Sequence, residues 1–216
     1  RNALTSTLAL RLSAEMARAA DDPEVRAVVL IGSGRAFCAG LDLTEFSKPD
    51  APRGVVGATI RNAHAFPKPL IGAINGPAVT GGLELALACD TLIASPGAVF
   101  RDTHLRIGAM SGSGMTVFLP RAVGQSWARR MILANDPMPA EIALRVGLIT
   151  ELVPAEDLLD NAVQLATRIA AMQPALASTV KQLCVEIDRV PPARGIELEH
   201  EALQEHRKKG QAWTTP

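Results

Sequence analysis

Apolar positions recur along this chain with two periods, and the switches between them outline its elements. Leu4, Leu8, Leu12 and Met16 recur four residues apart. That spacing predicts an amphipathic helix capped by Thr5 or Ser6 and ended by Asp21-Asp22-Pro23. Residues 25–31 (VRAVVLI) form a β-branched run that predicts a buried strand, broken by Gly32-Ser33-Gly34. A second buried strand is predicted over Leu70–Ile74, between Pro67-Lys68-Pro69 and Asn75-Gly76-Pro77. Residues 81–89 read as a buried helix that opens directly from glycines, and 91–94 and 98–100 as short strands. From Gly112 onward the pattern is mostly helical, with long amphipathic stretches over 154–172, 174–189 and 193–209. The Pro-, Gly- and charge-rich segment 48–57 predicts a mobile surface loop. Strands alternating with helices up to about residue 110, then helices alone, predict an α/β fold, with a core over 1–153 and a helical C-terminal region over 154–216.

The 216 residues suit one domain with a large core, or one domain plus a small helical appendage. A net charge of zero and the lack of a long like-charge block argue against a nucleic-acid or membrane-surface partner. Arg207, Lys208 and Lys209 read as a solvated helix end. Cys38, Cys89 and Cys184 are sparse and lack metal-ligand spacing. They read as small buried hydrophobes in a reducing, cytoplasmic setting, with no metal implied. No stretch approaches the roughly 18 apolar residues of a transmembrane helix. No signal peptide opens the chain, and a start at Arg1 leads to the expectation that an N-terminal piece is missing.

Two glycine-containing turns follow buried strands, at 34–43 and 75–86. Neither is G-x-G-x-x-G nor a Gly-Lys-Ser/Thr loop, which argues against a dinucleotide or nucleotide-phosphate site. The second turn puts Gly81 and Gly82 at the N-terminus of an apolar helix, where unpaired N–H groups and the helix dipole favour negative charge. A polarised carbonyl oxygen would be stabilised there. Glu84 in the first helical turn has two readings: a catalytic carboxylate, or a residue favoured by the dipole and closing a capping box with Thr80 or Gly81.

Five segments in order carry a family resemblance. Gly34 to Leu43, with Ala36-Phe37-x-Ala39-Gly40-x-Asp42, resembles the first signature of the enoyl-CoA hydratase/isomerase (crotonase) superfamily. Asn75-Gly76 through Gly81-Gly82-x-Glu84-Leu85-Ala86 to Cys89-Asp90 resembles the second. Gly108 through Gly112-x-Gly114 and Leu119-Pro120-Arg121-x-Val123-Gly124 resembles the third. Residues 140–154 resemble the segment that closes the core, and Asn2-Ala3-Leu4 the first helix.

The resemblance implies a crotonase-like spiral of ββα units with a helical C-terminal trimerisation region, hence a homotrimer or hexamer. It implies an acyl-CoA substrate, no separate cofactor, and an oxyanion hole made by the backbone N–H groups of Leu41 and Gly81. It also implies substrate contacts at Ala39, Gly40, Gly82 and Gly112. Of two catalytic glutamates in the family's hydratases, the first matches Glu84, and His104 stands at the second position. The expected activity is hydration of a 2-enoyl-CoA by Glu84 and His104. The alternatives are a Δ3-Δ2 enoyl-CoA isomerase with a single base, or a catalytically weak acyl-CoA-binding homologue. His104 otherwise reads as a surface or hydrogen-bonded histidine after a strand. Asp102 could orient the imidazole, but along a strand it reads as a residue that simply shares its face; Arg101 reads as facing solvent or an ion pair, and Asp42 as a cap. His64 reads as structural or surface, and His200 and His206 as solvated.

Overall fold

The computed structural model describes residues 1–48 and 50–208. Lys209, the last residue of the final helix expected from the sequence, and Pro49 of the 48–57 segment lie outside the described residues. In chain order the elements are α1 (Ser6–Asp21), β1 (Val28–Ile31), α2 (Leu43–Phe46), α3 (Arg53–His64), β2 (Leu70–Ile74), β3 (Ala78–Val79), α4 (Gly81–Leu87), β4 (Thr91–Ala94), β5 (Val99–Arg101), a 3-10 turn at Leu105–Ile107, α5 (Met115–Val123), α6 (Gln125–Ala134), β6 (Met138–Pro139), α7 (Ala140–Val146), β7 (Glu151–Leu152), α8 (Leu158–Ala170), α9 (Pro174–Ile187) and α10 (Pro192–Lys208). They fall into two compact units, one running to Ala170 and one from Ala171 onward.

The first unit is built on a parallel sheet in the order β1-β2-β4-β7. All five residues of β2 are buried because both of its faces are covered. Leu70 and Ile74 join the large core under α3, α4 and α5, whereas Ile71 and Ala73 pack with Ile93 against Leu158 and Ala162 of α8. The strand's two-residue period thus feeds two cores. Since α8 covers the sheet, it belongs to the first unit, although the sequence grouped it with the C-terminal helices beyond residue 153. A second sheet, β3-β5-β6, pairs β3 with β5 in parallel and β5 with β6 antiparallel. Strands β3, β6 and β7 have two residues each, too few to show a period, and so left no mark in the hydrophobic pattern.

The segment expected as a loop over 48–57 carries the start of α3 instead. Val56, Ile60 and Ala63 are buried at helical spacing, and Gly54 and Gly57 had obscured that stripe. Thr5 caps α1 by accepting from Leu8 N at 3.1 Å.

The two glycine turns meet backbone to backbone. Cys38 N donates to Pro77 O at 3.1 Å and Val79 N to Cys38 O at 2.9 Å, a single parallel bridge between Cys38 and Ala78. Asn75 fastens the first turn from the second, donating to Gly32 O and Gly34 O at 2.8 and 2.7 Å and accepting from Gly32 N at 3.1 Å. Asn2 donates to Ala36 O at 2.8 Å from the other side. A Cβ at Gly82 would stand 2.3 Å from Cys38 O, and one at Gly40, whose φ is +87°, 2.8 Å from Val79 O.

In the second unit, α9 and α10 meet where Gly195 packs on Ile187. No described residue of α9 is buried, and only Gly195 of α10 is. Met172, Val180 and Ile196 are exposed. Among the described residues no helix is long and apolar enough to cross a membrane.

The seam yields a stability test. Gly82→Ala puts a methyl group into a backbone carbonyl and should cost about 2–3 kcal/mol, lowering the melting temperature by about 5–10 °C. Gly97→Ala meets nothing within 4 Å and should leave it within a degree or two. Thermal unfolding followed by circular dichroism checks both.

Candidate active site

A cavity of about 840 Å³ opens in the first unit beside the seam, a size suited to a small-molecule ligand. Of the residues singled out from the sequence, Ala39, Leu41, Glu84, His104 and Gly112 line it. Gly40 and Gly82 stand behind its wall, where their missing side chains let the two turns touch. Gly81 is buried at the start of α4, directly under the Leu41 side chain.

The backbone leaves two N–H groups unspent here. Leu4 N donates to Gly40 O and Asp42 N to Leu4 O, so the bridge between Leu4 and Leu41 passes over Leu41 N. Gly81 N is the first donor of α4 and precedes any intrahelical acceptor. Among the described residues neither N–H has an acceptor. The turns that carry them lie close together, since a Cβ on Gly40 would be 3.6 Å from Gly81 N.

Thr80, immediately ahead, has φ +52° and ψ −110°, a conformation that costs a β-branched residue about 1–3 kcal/mol. Its N–H donates to Arg101 O at 2.8 Å, and its hydroxyl bonds that of Thr103 and accepts from Thr103 N at 3.1 Å. These bonds hold the strained entry to α4 in place.

Glu84 is buried, and it does not close a capping box. Its N–H donates to Thr80 O, while its side chain reaches away from the helix. Oε1 accepts from Ser111 Oγ at 2.6 Å, Ser113 N at 3.2 Å and Met115 N at 3.3 Å. One carboxylate oxygen is thereby fixed to the 111–115 turn. Oε2 has no partner among the described residues.

His104 is buried with Asp102, and the two form a tight pair. Asp102 Oδ1 lies 2.6 Å from His104 Nδ1 and also accepts from His104 N at 3.1 Å. Asp102 lies just past the end of β5, so the strand geometry that would merely align the two side chains no longer applies. Nδ1–H directed at Asp102 leaves Nε2 as the ring nitrogen without a partner among the described residues. Burial disfavours the imidazolium, but the hydrogen bond to Asp102, its charge and that of Glu84 outweigh burial and raise the His104 pKa above the ordinary 6.5.

The remaining candidates serve structure. Asp42 caps α2 by accepting from Glu45 N at 3.0 Å. Arg101 donates to Asn135 O at 3.1 Å rather than facing a carboxylate. The ring of His64 stacks on Phe118 at 3.9 Å, and His200 and His206 are on α10. Burial pushes the Cys38 thiol up to about 11, so it is no ready nucleophile. Among the described residues no three His, Cys, Asp or Glu side chains gather as metal ligands would.

Sequence reasoning missed Ser111 and Ser113 and gave Asp102 too little weight. The Ser-Gly-Ser-Gly run at 111–114 was the available signal, a flexible stretch able to wrap donors around a carboxylate.

The sequence profile of the enoyl-CoA hydratase/isomerase family matches residues 1–212. The chain is 34% identical to the 2,3-dehydroadipyl-CoA hydratase of Escherichia coli strain K12, over 97% of this chain and 86% of that protein. It is 38% identical to the (E)-benzylidenesuccinyl-CoA hydratase of Thauera aromatica, over 85% of this chain and 74% of the other. The crystal structure of an enoyl-CoA hydratase from Bacillus anthracis superposes with a TM-score of 0.89 at 30% identity, covering 94% of this chain and 81% of that one.

The Asp102–His104 pair has a direct spectroscopic test. The imidazole of His104, titrated by NMR, should have its midpoint above 6.5. In Asp102→Asn the acceptor charge that favours the imidazolium is lost while burial stays, so the midpoint should move to lower pH. A midpoint unchanged by that substitution would show that Asp102 does not govern the ring.

Proposed function

Because the chain belongs to the enoyl-CoA hydratase/isomerase family, we propose that it adds water across the double bond of a 2-enoyl-coenzyme A thioester. The observation that carries this reading is one cavity lined by both a fixed carboxylate and an aspartate-bound imidazole, next to two unspent backbone N–H groups. Relatives named as hydratases of 2,3-dehydroadipyl-CoA and (E)-benzylidenesuccinyl-CoA support it.

In this reading the thioester carbonyl oxygen sits between Leu41 N–H and Gly81 N–H. Ala39 and Gly112 border the bound thioester. Glu84, through its unbonded Oε2, takes a proton from water as the water oxygen bonds to the β-carbon. The π electrons move onto the thioester oxygen, and the enolate charge is held by the two N–H groups and the N-terminal dipole of α4. The enolate then collapses and its α-carbon takes a proton from Nε2 of the His104 imidazolium. The proton held by Glu84 returns to His104 through solvent, so the cycle closes with one water consumed. The Asp102 and Glu84 carboxylates favour the imidazolium form of His104 and so raise its pKa above 6.5. Coenzyme A arrives as part of the substrate, and no further cofactor takes part.

The helices beyond Ala171 suit a homotrimer or hexamer. Their amphipathic faces are left largely unburied in the single chain, with Val180 and Ile196 exposed.

Hydration of a short 2-enoyl-CoA, followed by the loss of absorbance of the conjugated thioester, tests the reading. Glu84→Gln keeps the shape and should lower kcat by at least about 10²-fold, with thioester binding retained. His104→Ala should cost a similar factor. If instead 3-enoyl-CoA is isomerised and His104→Ala leaves that rate intact, the chemistry is that of a single-base isomerase. Tight thioester binding without either turnover would mark a binding homologue. Light scattering at micromolar concentration should give a mass of three or six chains, and a monomer would refute the assembly.

A further inference from the structure

We propose, resting on the hydratase reading, that the acyl group of the substrate carries a second, free carboxylate and that Arg61 receives it. Arg61 lines the same cavity as Glu84 and His104. Its guanidinium is a permanent cation with five donors in a fork that matches a carboxylate. Among the described residues no carboxylate pairs with it.

Two positions on the helix face that presents this cation carry no side chain, beside Val56 and Ile60, which also line the cavity. Gly54, Gly57 and Arg61 stand at i, i+3 and i+7, one face of α3, and all three line the cavity. Two glycines within a twelve-residue helix weaken it relative to alanine. What they leave is space: a Cβ at Gly54 would meet nothing within 4 Å. Helical side chains lean toward the helix N-terminus, and Gly57, one turn earlier, lets Arg61 lie back over the backbone. A Cβ at Gly57 would meet Arg61 Nη1 at 3.0 Å and Ser113 Oγ at 3.4 Å. The guanidinium of Arg61, an exposed residue, therefore lies near Ser113, whose N–H donates to Glu84.

A cation in the last turn of α3 is also favoured by the helix dipole. That account needs the guanidinium near the terminal carbonyls, whereas it lies a turn back, over Gly57. The rest of the cavity offers Leu43, Phe46, Ile107 and Met110, apolar surface suited to methylenes. A thioester fixed at Leu41 and Gly81 could thus run a short carbon chain past Glu84 and end on Arg61.

The experiment compares two series of 2-enoyl-CoA thioesters, five and six carbons long, ending in either a carboxylate or a primary amide. These differ in charge and hardly in shape. The wild-type enzyme should favour the acid over the amide by about tenfold to a hundredfold in kcat/KM, the usual scale for a hydrogen bond to a charged group. In Arg61→Met that ratio should fall to about one, with Arg61→Lys in between. A wild-type ratio near one overturns the proposal. So does a parallel loss on both series in Arg61→Met, which would assign the cation to a phosphate of coenzyme A. If neither series is hydrated, the hydratase reading fails by itself. The saturated acid and amide thioesters then still test Arg61, because their dissociation constants, measured by calorimetry, should show the same ratio and the same collapse. Equal affinities would refute it.

Discussion

The contact of Cys38 with Ala78 and Gly82, backbone against backbone, is the constraint on which the rest of the site depends. It brings a turn after β1 against a turn after β2, two strands already paired in parallel register. Only two hydrogen bonds form the bridge itself, so its geometry is fixed by what surrounds it. Asn75 and Asn2 supply side-chain amides to carbonyls that the turn leaves without strand partners. The glycines at positions 40 and 82 remove the atoms that would hold the turns apart. None of these seam residues is among those lining the cavity, yet the seam sets where Leu41 N and Gly81 N stand.

Electrostatics at the site follow from how unevenly the polar groups are satisfied. Glu84 spends one oxygen on three donors from a single turn and keeps the other uncommitted. His104 spends Nδ1 on Asp102 and keeps Nε2. Each group is therefore oriented by one half and available through the other, an arrangement suited to proton transfer. The two carboxylates also act together on the ring, since Asp102 and Glu84 both favour its protonated form against the cost of burial. The imidazole of His104 thus comes with its own buried aspartate, and the two are better regarded as a pair.

The same distribution of small residues shapes α3. Its buried stripe of Val56, Ile60 and Ala63 anchors it to the core, and Gly54 and Gly57 leave gaps beside Val56 and Ile60 where it borders the cavity. A helix built this way presents one cation to an open volume, where an ordinary amphipathic helix would fill it. These glycines are what concealed the helix in the sequence.

Helices α1 and α4 and strands β1, β2, β4 and β5 were legible in the sequence, because β-branched runs and four-residue apolar spacings are local patterns that a buried strand or helix imposes on its own residues. The two turns, the carboxylate at 84 and the family were legible for the same reason, as contiguous strings. The short strands β3, β6 and β7, the docking of α8 on the sheet and the helical start of α3 were not, since each depends on partners far along the chain. So it is with the site's working groups. The sequence could place Glu84 on a helix but not the serine hydroxyl and N–H groups from 111–115 that turn it away from the cap. It could put Asp102 two residues from His104, past the strand predicted over 98–100, but not show that the two side chains turn to meet. Local propensity and pattern are written in neighbouring residues; orientation, burial and pairing are decided only when the folded backbone brings distant residues within hydrogen-bonding reach.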